Sequence, residues 1–225
     1  MVPAMMYALI DALHEAASAV KPIILTGSGA SFCAGADLNW LASFTDPASG
    51  AAELVSVHHR AITTLVDLPV PVIVAVNGST AGGGLGLALA PDYCLAAESA
   101  SFTTAYFRLG LTPDGGATTF LQRAIGPART RELLLTNRRV SANEALAWGL
   151  VNEVVPTGQL LDRAASFASS LAPVPPETLL QTRRLLDGGV LRHQLQLESD
   201  AIRNAARSEF FKSAITRFRE THTQD

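Results

Sequence analysis

The sequence predicts an α/β fold, with covered and mainly parallel strands alternating with helices, closed by an all-helical C-terminal quarter. Three observations carry this. Val72-Ile-Val-Ala-Val76 is an unbroken β-branched run between Pro71 and Gly78, the pattern of a strand buried on both faces. Two strand-like runs each lead into a loop of Gly, Ser and Ala, and the second loop opens straight into an apolar helix. After Gly158 only helical periodicity remains.

The elements follow in order. Met6, Leu9, Ile10, Leu13, Ala17 and Val20 fall at helical spacing, and Pro22 to Thr26 reads as a short buried strand. Leu54, Val57, His58, Ala61, Ile62, Leu65 and Val66 make a second helical stripe, which the Val72 to Val76 strand follows. A short helix near Leu85 to Ala90 and a strand near Tyr93 to Ala96 come next. Ser141 and Glu144 have capping-box spacing, Gly149 suits a helix stop, and Val151 to Val155 is the last strand. A helix starts at Pro175-Pro176-Glu177, and others cover Leu191 to Glu220. There is no internal repeat or low-complexity linker.

Composition narrows the function classes. The 225 residues are 48% hydrophobic and 16% charged, against about a quarter charged in ordinary globular chains. The longest apolar stretch, Leu68 to Val76, is too short to span a bilayer and contains prolines, so surface buried between subunits is the better explanation. A net charge of −3 gives no footprint for nucleic acid. Most Lys and Arg lie at or beyond Arg123, a distribution that suits exposed helix faces or, less readily, an anionic small molecule. Cys33 and Cys94 form no CxxC, and the histidines show no ligand spacing, so neither a disulfide framework nor a metal site is expected. The first Lys is Lys21, so no basic leader precedes the first helix, and the chain reads as cytoplasmic.

The chemistry-bearing features are the two loops, Thr26-Gly-Ser-Gly-Ala-Ser-Phe-Cys-Ala-Gly-Ala-Asp37 and Asn77-Gly-Ser-Thr-Ala-Gly-Gly-Gly-Leu-Gly86. Small residues let other atoms approach the backbone, and a helix N-terminus offers unpaired N–H groups, which suits a phosphate or an enolate-like oxygen. Phe32 and Leu87 stand where a dinucleotide fingerprint needs glycine, and no Gly-Lys-Ser/Thr is present.

Phe32-Cys-Ala-Gly-Ala-Asp-Leu38 and Val74-Ala-Val-Asn-Gly-Ser-Thr-Ala-Gly-Gly-Gly-Leu-Gly-Leu-Ala88 resemble the two signature loops of the crotonase superfamily, the enoyl-CoA hydratases and isomerases. Pro91 to Ala96, Gly110 to Gly116, Gly149 to Val155 and a terminal helix with Phe218 follow in family order. The resemblance implies a spiral of β-β-α turns over residues 1–165 and a helical trimerisation region over 166–225, in a trimer or a dimer of trimers. It implies an acyl-CoA substrate, whose CoA is part of the substrate rather than a cofactor, and no metal. The thioester oxygen would sit in an oxyanion hole made by the N–H groups of Ala36 and Gly83, with Ala34, Asp37, Leu38, Gly82, Tyr106 and Pro113 around the substrate. The family also has a strand and part of the CoA-binding wall ahead of the first helix, whereas this sequence starts at that helix.

The two glutamates of the family's hydratases match Gly86 and Tyr106. Glycine moves no proton, and a phenol with a pKa of about 10 is a poor base. Asp114 remains, at a position where isomerase branches of the family carry a proton-shuttling aspartate. An apolar pocket would raise its pKa; the alternative is an Asx turn or helix N-cap in Pro113-Asp114-Gly115. The expected reaction is therefore double-bond isomerisation of an enoyl-CoA with Asp114 as base. A hydratase or thioester hydrolase on the same hole, and a catalytically silent acyl-CoA binder, are the alternatives. Asp37 is expected to be a cap, Asp92 structural, and Tyr106 a shaper of the acyl pocket. His58 and His59 lie far from both loops in sequence and point about 100° apart on a helix, which suggests surface or packing roles and no shared metal face.

Overall fold

A computed structural model describes residues 1–222. Helix α1 (Pro3–Ala17) precedes β1 (Ile23–Thr26), β2 (Ser31–Cys33), α2 (Leu38–Ala42) and α3 (Pro47–Asp67). The second turn is β3 (Val72–Val76), β4 (Ser79–Ala81) and α4 (Gly84–Leu89). The third is β5 (Tyr93–Ala97), β6 (Ser101–Thr103) and α5 (Ala117–Thr136). Then come β7 (Val140–Ser141), α6 (Ala142–Trp148), β8 (Glu153–Val155), α7 (Leu160–Ser170), α8 (Pro176–Asp187), α9 (Val190–Ala206) and α10 (Glu209–His222).

The repeating β-β-α turn sends its first strand to one sheet and its second to another. The first sheet runs β1-β3-β5-β8, all parallel, with Ile73 opposite both Ile24 and Tyr93. The second runs β2-β4-β6-β7, parallel except for the β6–β7 pair. β3 is buried at every residue, as its unbroken apolar run requires. Ile73 and Ala75 face α7 with Leu95, Leu160 and Ala164, while Val72, Val74 and Val76 enter the main core. Strand alternation thus serves two apolar layers at once.

Three expectations need correction. β1 is an edge strand and only partly buried, since β3 covers one side alone. The two glycine loops are not wholly irregular: each contains a three-residue strand, β2 or β4, too short to register in hydrophobic periodicity. The capping box is half-formed: Ser141 Oγ accepts from Glu144 N at 3.2 Å, but the Glu144 carboxylate turns to Arg138, at 2.7 and 2.9 Å. Asp92 is structural as expected, accepting from Val72 N at 2.8 Å and from Arg183 Nε at 2.7 Å. Arg183 also donates to the carbonyls of Val66, Leu68 and Val70, so this basic residue ties α8 to the body. No helix among the described residues is long and apolar enough to cross a membrane.

Candidate active site

The pairing of β2 with β4 presses the two glycine loops together. A Cβ on Gly84 would lie 2.3 Å from Cys33 O, and one on Gly35, whose φ is +90°, 2.9 Å from Ala81 O. Only glycine allows backbone to meet backbone there. The result is a cavity of about 250 Å³ whose wall includes Ala36, Gly83 and Asp114 together. Among the described residues neither Ala36 N–H nor Gly83 N–H has an acceptor, and Gly83 is the residue before α4, where helical N–H groups are open. Leu41, Leu54, Val55, Leu111 and Ile202 make most of the remaining wall apolar.

Of the other residues expected at the site, Ala34, Leu38, Gly82 and Tyr106 line this cavity. Asp37 and Pro113 do not. Asp37 caps α2, its Oδ1 accepting from Asn39 N at 2.9 Å and Trp40 N at 3.1 Å, and Pro113 is buried behind the wall. Tyr106 is buried and donates from its hydroxyl to Asp114 O at 3.2 Å. Burial first, then the neighbouring Asp114, holds its phenol well above the ordinary tyrosine value.

Asp114 is 6% exposed and neither caps a helix nor closes an Asx turn. Its Oδ2 lies 3.4 Å from His58 Nδ1 and 4.0 Å from His59 Nε2, and the Tyr106 hydroxyl also acts on the carboxyl. The carboxyl sits below the usual aspartate value, not above it as an apolar pocket alone would dictate. Burial pushes it up, but the His58 hydrogen bond and the two histidines together outweigh that. The loop's cap comes from elsewhere. Glu198 on α9, 3% exposed, accepts from Gly116 N at 2.7 Å, Thr118 N at 3.1 Å and Thr118 Oγ1 at 2.5 Å, closing the N-terminus of α5. Burial raises its carboxyl despite those bonds.

The histidines are the main departure from the sequence reading. His58 is 1% exposed and lines the cavity; His59 reaches the same loop, accepting from Gly115 N at 3.0 Å. Their ring centroids are 6.1 Å apart, so adjacent side chains on α3 converge on Asp114 by choice of rotamer although their Cβ atoms diverge. Burial drives His59 down to about 4, so it stays neutral. One signal was present: His58 falls on the apolar stripe of α3, which places its ring on the core side. His58, His59 and Asp114 each offer a ligand atom within 4.8 Å of the others. A cation there would have to displace the Gly115 N–H from His59 and the His58 ring from Asp114, so the trio fits a hydrogen-bonded network better than a metal. Gly86 is closed to side chains: a Cβ there would lie 2.2 Å from Gly115 O.

Two open backbone N–H groups and a buried carboxylate on one apolar cavity suit a reaction in which negative charge develops on an oxygen, the class of site that enzymes of acyl chemistry use. The comparisons agree: the family model "Enoyl-CoA hydratase/isomerase" matches residues 1–225, and the chain belongs to that family, which acts on acyl-CoA. It is 39% identical to the 1,2-epoxyphenylacetyl-CoA isomerase of Escherichia coli K12, over 88% of this chain and 78% of that one. It is 42% identical to the carnitinyl-CoA dehydratase of Salmonella enteritidis PT4, over 70% of this chain and 59% of that one. Among solved structures, an enoyl-CoA hydratase from Mycobacterium avium subsp. paratuberculosis K-10 superposes with a TM-score of 0.84 at 30% identity, covering 96% of this chain and 88% of that one.

Proposed function

We propose that this enzyme moves a double bond along an enoyl-CoA, with Asp114 carrying the proton and the N–H groups of Ala36 and Gly83 holding the thioester oxygen. In a 3-enoyl-CoA, Asp114 takes a proton from C2 and the C–H electrons become a dienolate whose oxygen the two donors stabilise. The same carboxyl returns the proton to C4, leaving the 2-enoyl thioester. The observation that carries the reading is the meeting of one ionised carboxylate and two open N–H donors on an otherwise apolar cavity. Hydration by paired glutamates has no support, because Gly86 bears no side chain and Tyr106 keeps its proton. The chemistry needs no cofactor or metal.

The test is mass spectrometry of 2- and 3-enoyl-CoAs incubated with the protein in D₂O. Carbon-bound deuterium with bond migration is expected, and Asp114→Asn should slow it by about 10²–10⁴-fold, the usual contribution of a positioned base. Water addition would make the protein a hydratase, and thioester cleavage a hydrolase. Binding of acyl-CoA with no turnover would make it a silent binder.

We also read the low charged fraction, with Leu185 and Leu186 largely exposed on α8, as surface covered by further copies in a trimer or pair of trimers. Light scattering would show a monomer if that is wrong.

A further inference from the structure

We infer that His58 is the positioning residue of this site, the donor that orients Asp114 and keeps its carboxyl available as a base. The inference deepens the isomerase reading and rests on it for its catalytic meaning, though not for its geometry. The imidazole is wedged between the two working loops. A Cβ on Gly83 would lie 2.9 Å from His58 Cε1, and one on Gly115 only 2.2 Å from that atom. One ring therefore touches the oxyanion-hole loop and the base loop at once, which is why both positions must lack a side chain.

The hydrogen bonds fix the tautomers. His58 Nε2 is buried with no partner among the described residues, so a proton there would have no acceptor. Orphaned buried N–H groups are rarer and costlier than an unused acceptor lone pair, so the proton sits on Nδ1, facing Asp114 Oδ2. His59 Nε2 is already an acceptor for Gly115 N–H, so its proton is on Nδ1 and it can give nothing to the carboxylate. The remaining titratable neighbours are also engaged elsewhere. Tyr106 donates to the Asp114 main chain, and Glu198 accepts from Gly116 and Thr118; Arg203, also on α9, acts on His59. His58 makes the largest hydrogen-bond contribution to the Asp114 carboxyl, and the Tyr106 hydroxyl, shared with the main-chain oxygen, makes a smaller one. His58 need not touch the reacting carbons.

The experiment uses the whole protein without substrate, so that it does not depend on the reaction. The Asp114 carboxyl is followed by ¹³C NMR as a function of pH in the wild type, His58→Leu and His58→Asn. Leucine fills the space with no donor; the asparagine amide nitrogen takes nearly the place of Nδ1 and donates without titrating. In His58→Leu the Asp114 midpoint should rise by about one to two pH units, because burial loses its largest opposing contact while His59 and Tyr106 remain. In His58→Asn most of that rise should be reversed. On an enoyl-CoA that the wild type turns over, kcat should fall at least tenfold in His58→Leu with KM changed less than threefold, and the acid limb of the pH profile should move up with the midpoint.

An unmoved midpoint in His58→Leu would overturn the inference, as would equal shifts in both variants, which would assign the effect to packing. Should neither variant fold, ¹⁵N spectra of the wild type decide: a proton on His58 Nδ1 supports the assignment and one on Nε2 refutes it. If the wild type exchanges no deuterium in any enoyl-CoA, the isomerase reading fails while the carboxyl titration still judges His58.

Discussion

The two halves of this site are built by opposite means. The proposed oxyanion half is backbone: Ala36 and Gly83 carry open N–H groups, and a side chain on Gly83 would meet His58. The proposed base half is held by side chains that come from α3 and α9 to the loop of Asp114. His58 and His59 reach Asp114 and Gly115 from α3, while Glu198 reaches Gly116 and Thr118 from α9. A backbone site is specified by local turn geometry and glycine; a side-chain site is specified by packing at a distance. The first resists substitution through sterics, the second through protonation, and each can be broken without the other.

The largest effect should come from the backbone half. Gly83→Pro removes one donor and also presses its ring on His58 and Met1, so turnover of an enoyl-CoA should fall at least about 10²–10³-fold, the scale for losing one oxyanion contact. Acyl-CoA binding, followed by calorimetry, should remain detectable. Unchanged turnover would dissolve the contrast between the halves.

Gly86→Ala probes where the halves meet. The new Cβ would lie 2.2 Å from Gly115 O, so either α4 or the base loop must shift. Urea unfolding should show a loss of about 2 kcal/mol, the scale of overpacking in a tight core. A variant as stable as wild type would mean that the loop yields easily.

The side-chain half should reveal itself through pH. His59 titrates near 4 in the folded protein, below its ordinary 6.5, so the unfolded chain binds more protons between those values. Stability therefore rises with pH across that window and falls as pH drops from 7 to 5, by about 2 kcal/mol. His59→Gln, whose amide oxygen stands near the place of Nε2 and keeps an acceptor for Gly115 N–H, should lose markedly less between the same pH values. Parallel unfolding curves for the two proteins would argue against a buried neutral His59.

The smallest effect is expected at Glu198→Gln. The amide oxygen can keep the Thr118 contacts, but its NH2 group then faces the Gly116 N–H that Oε2 served, and a charge is lost from the N-terminus of α5, so the cost should be about 1 kcal/mol in a thermal melt. Glu198→Ala, which leaves those buried donors unpaired, should cost more. Equal melting temperatures for both variants would show that the cap contributes nothing.

How much of this was legible in the sequence follows the same division. The apolar run of β3, the stripe of α3 and the two glycine loops are local patterns, and each announced its element; Ala36 and Gly83 were singled out within the loops by the resemblance to the family. The short strands β2 and β4 were hidden, because three residues cannot display a period. Asp114 was visible as a residue type on a suitable loop, but its partners were not. His58 and Asp114 are 56 positions apart, and Gly116 and Glu198 are 82 apart. No local rule connects them. The expected direction of the Asp114 shift failed for the same reason: burial can be guessed from an apolar neighbourhood, whereas distant opposing partners such as His58 and His59 cannot. Asp37 and Asp92 were assigned structural roles because each sits at an element boundary, and caps and corners are local properties.

The dependence of α5 on Glu198 carries a consequence in time as well as in space. A chain emerging from the ribosome presents the backbone donors early, since both glycine loops lie in its first half. Gly116 and Thr118 must wait for α9 to be synthesised before the carboxylate that holds them exists. During that interval the loop that carries Asp114 has its contacts from α3 but lacks the cap that closes α5. That corner of the cavity is therefore completed last, only once the final quarter of the polypeptide has docked.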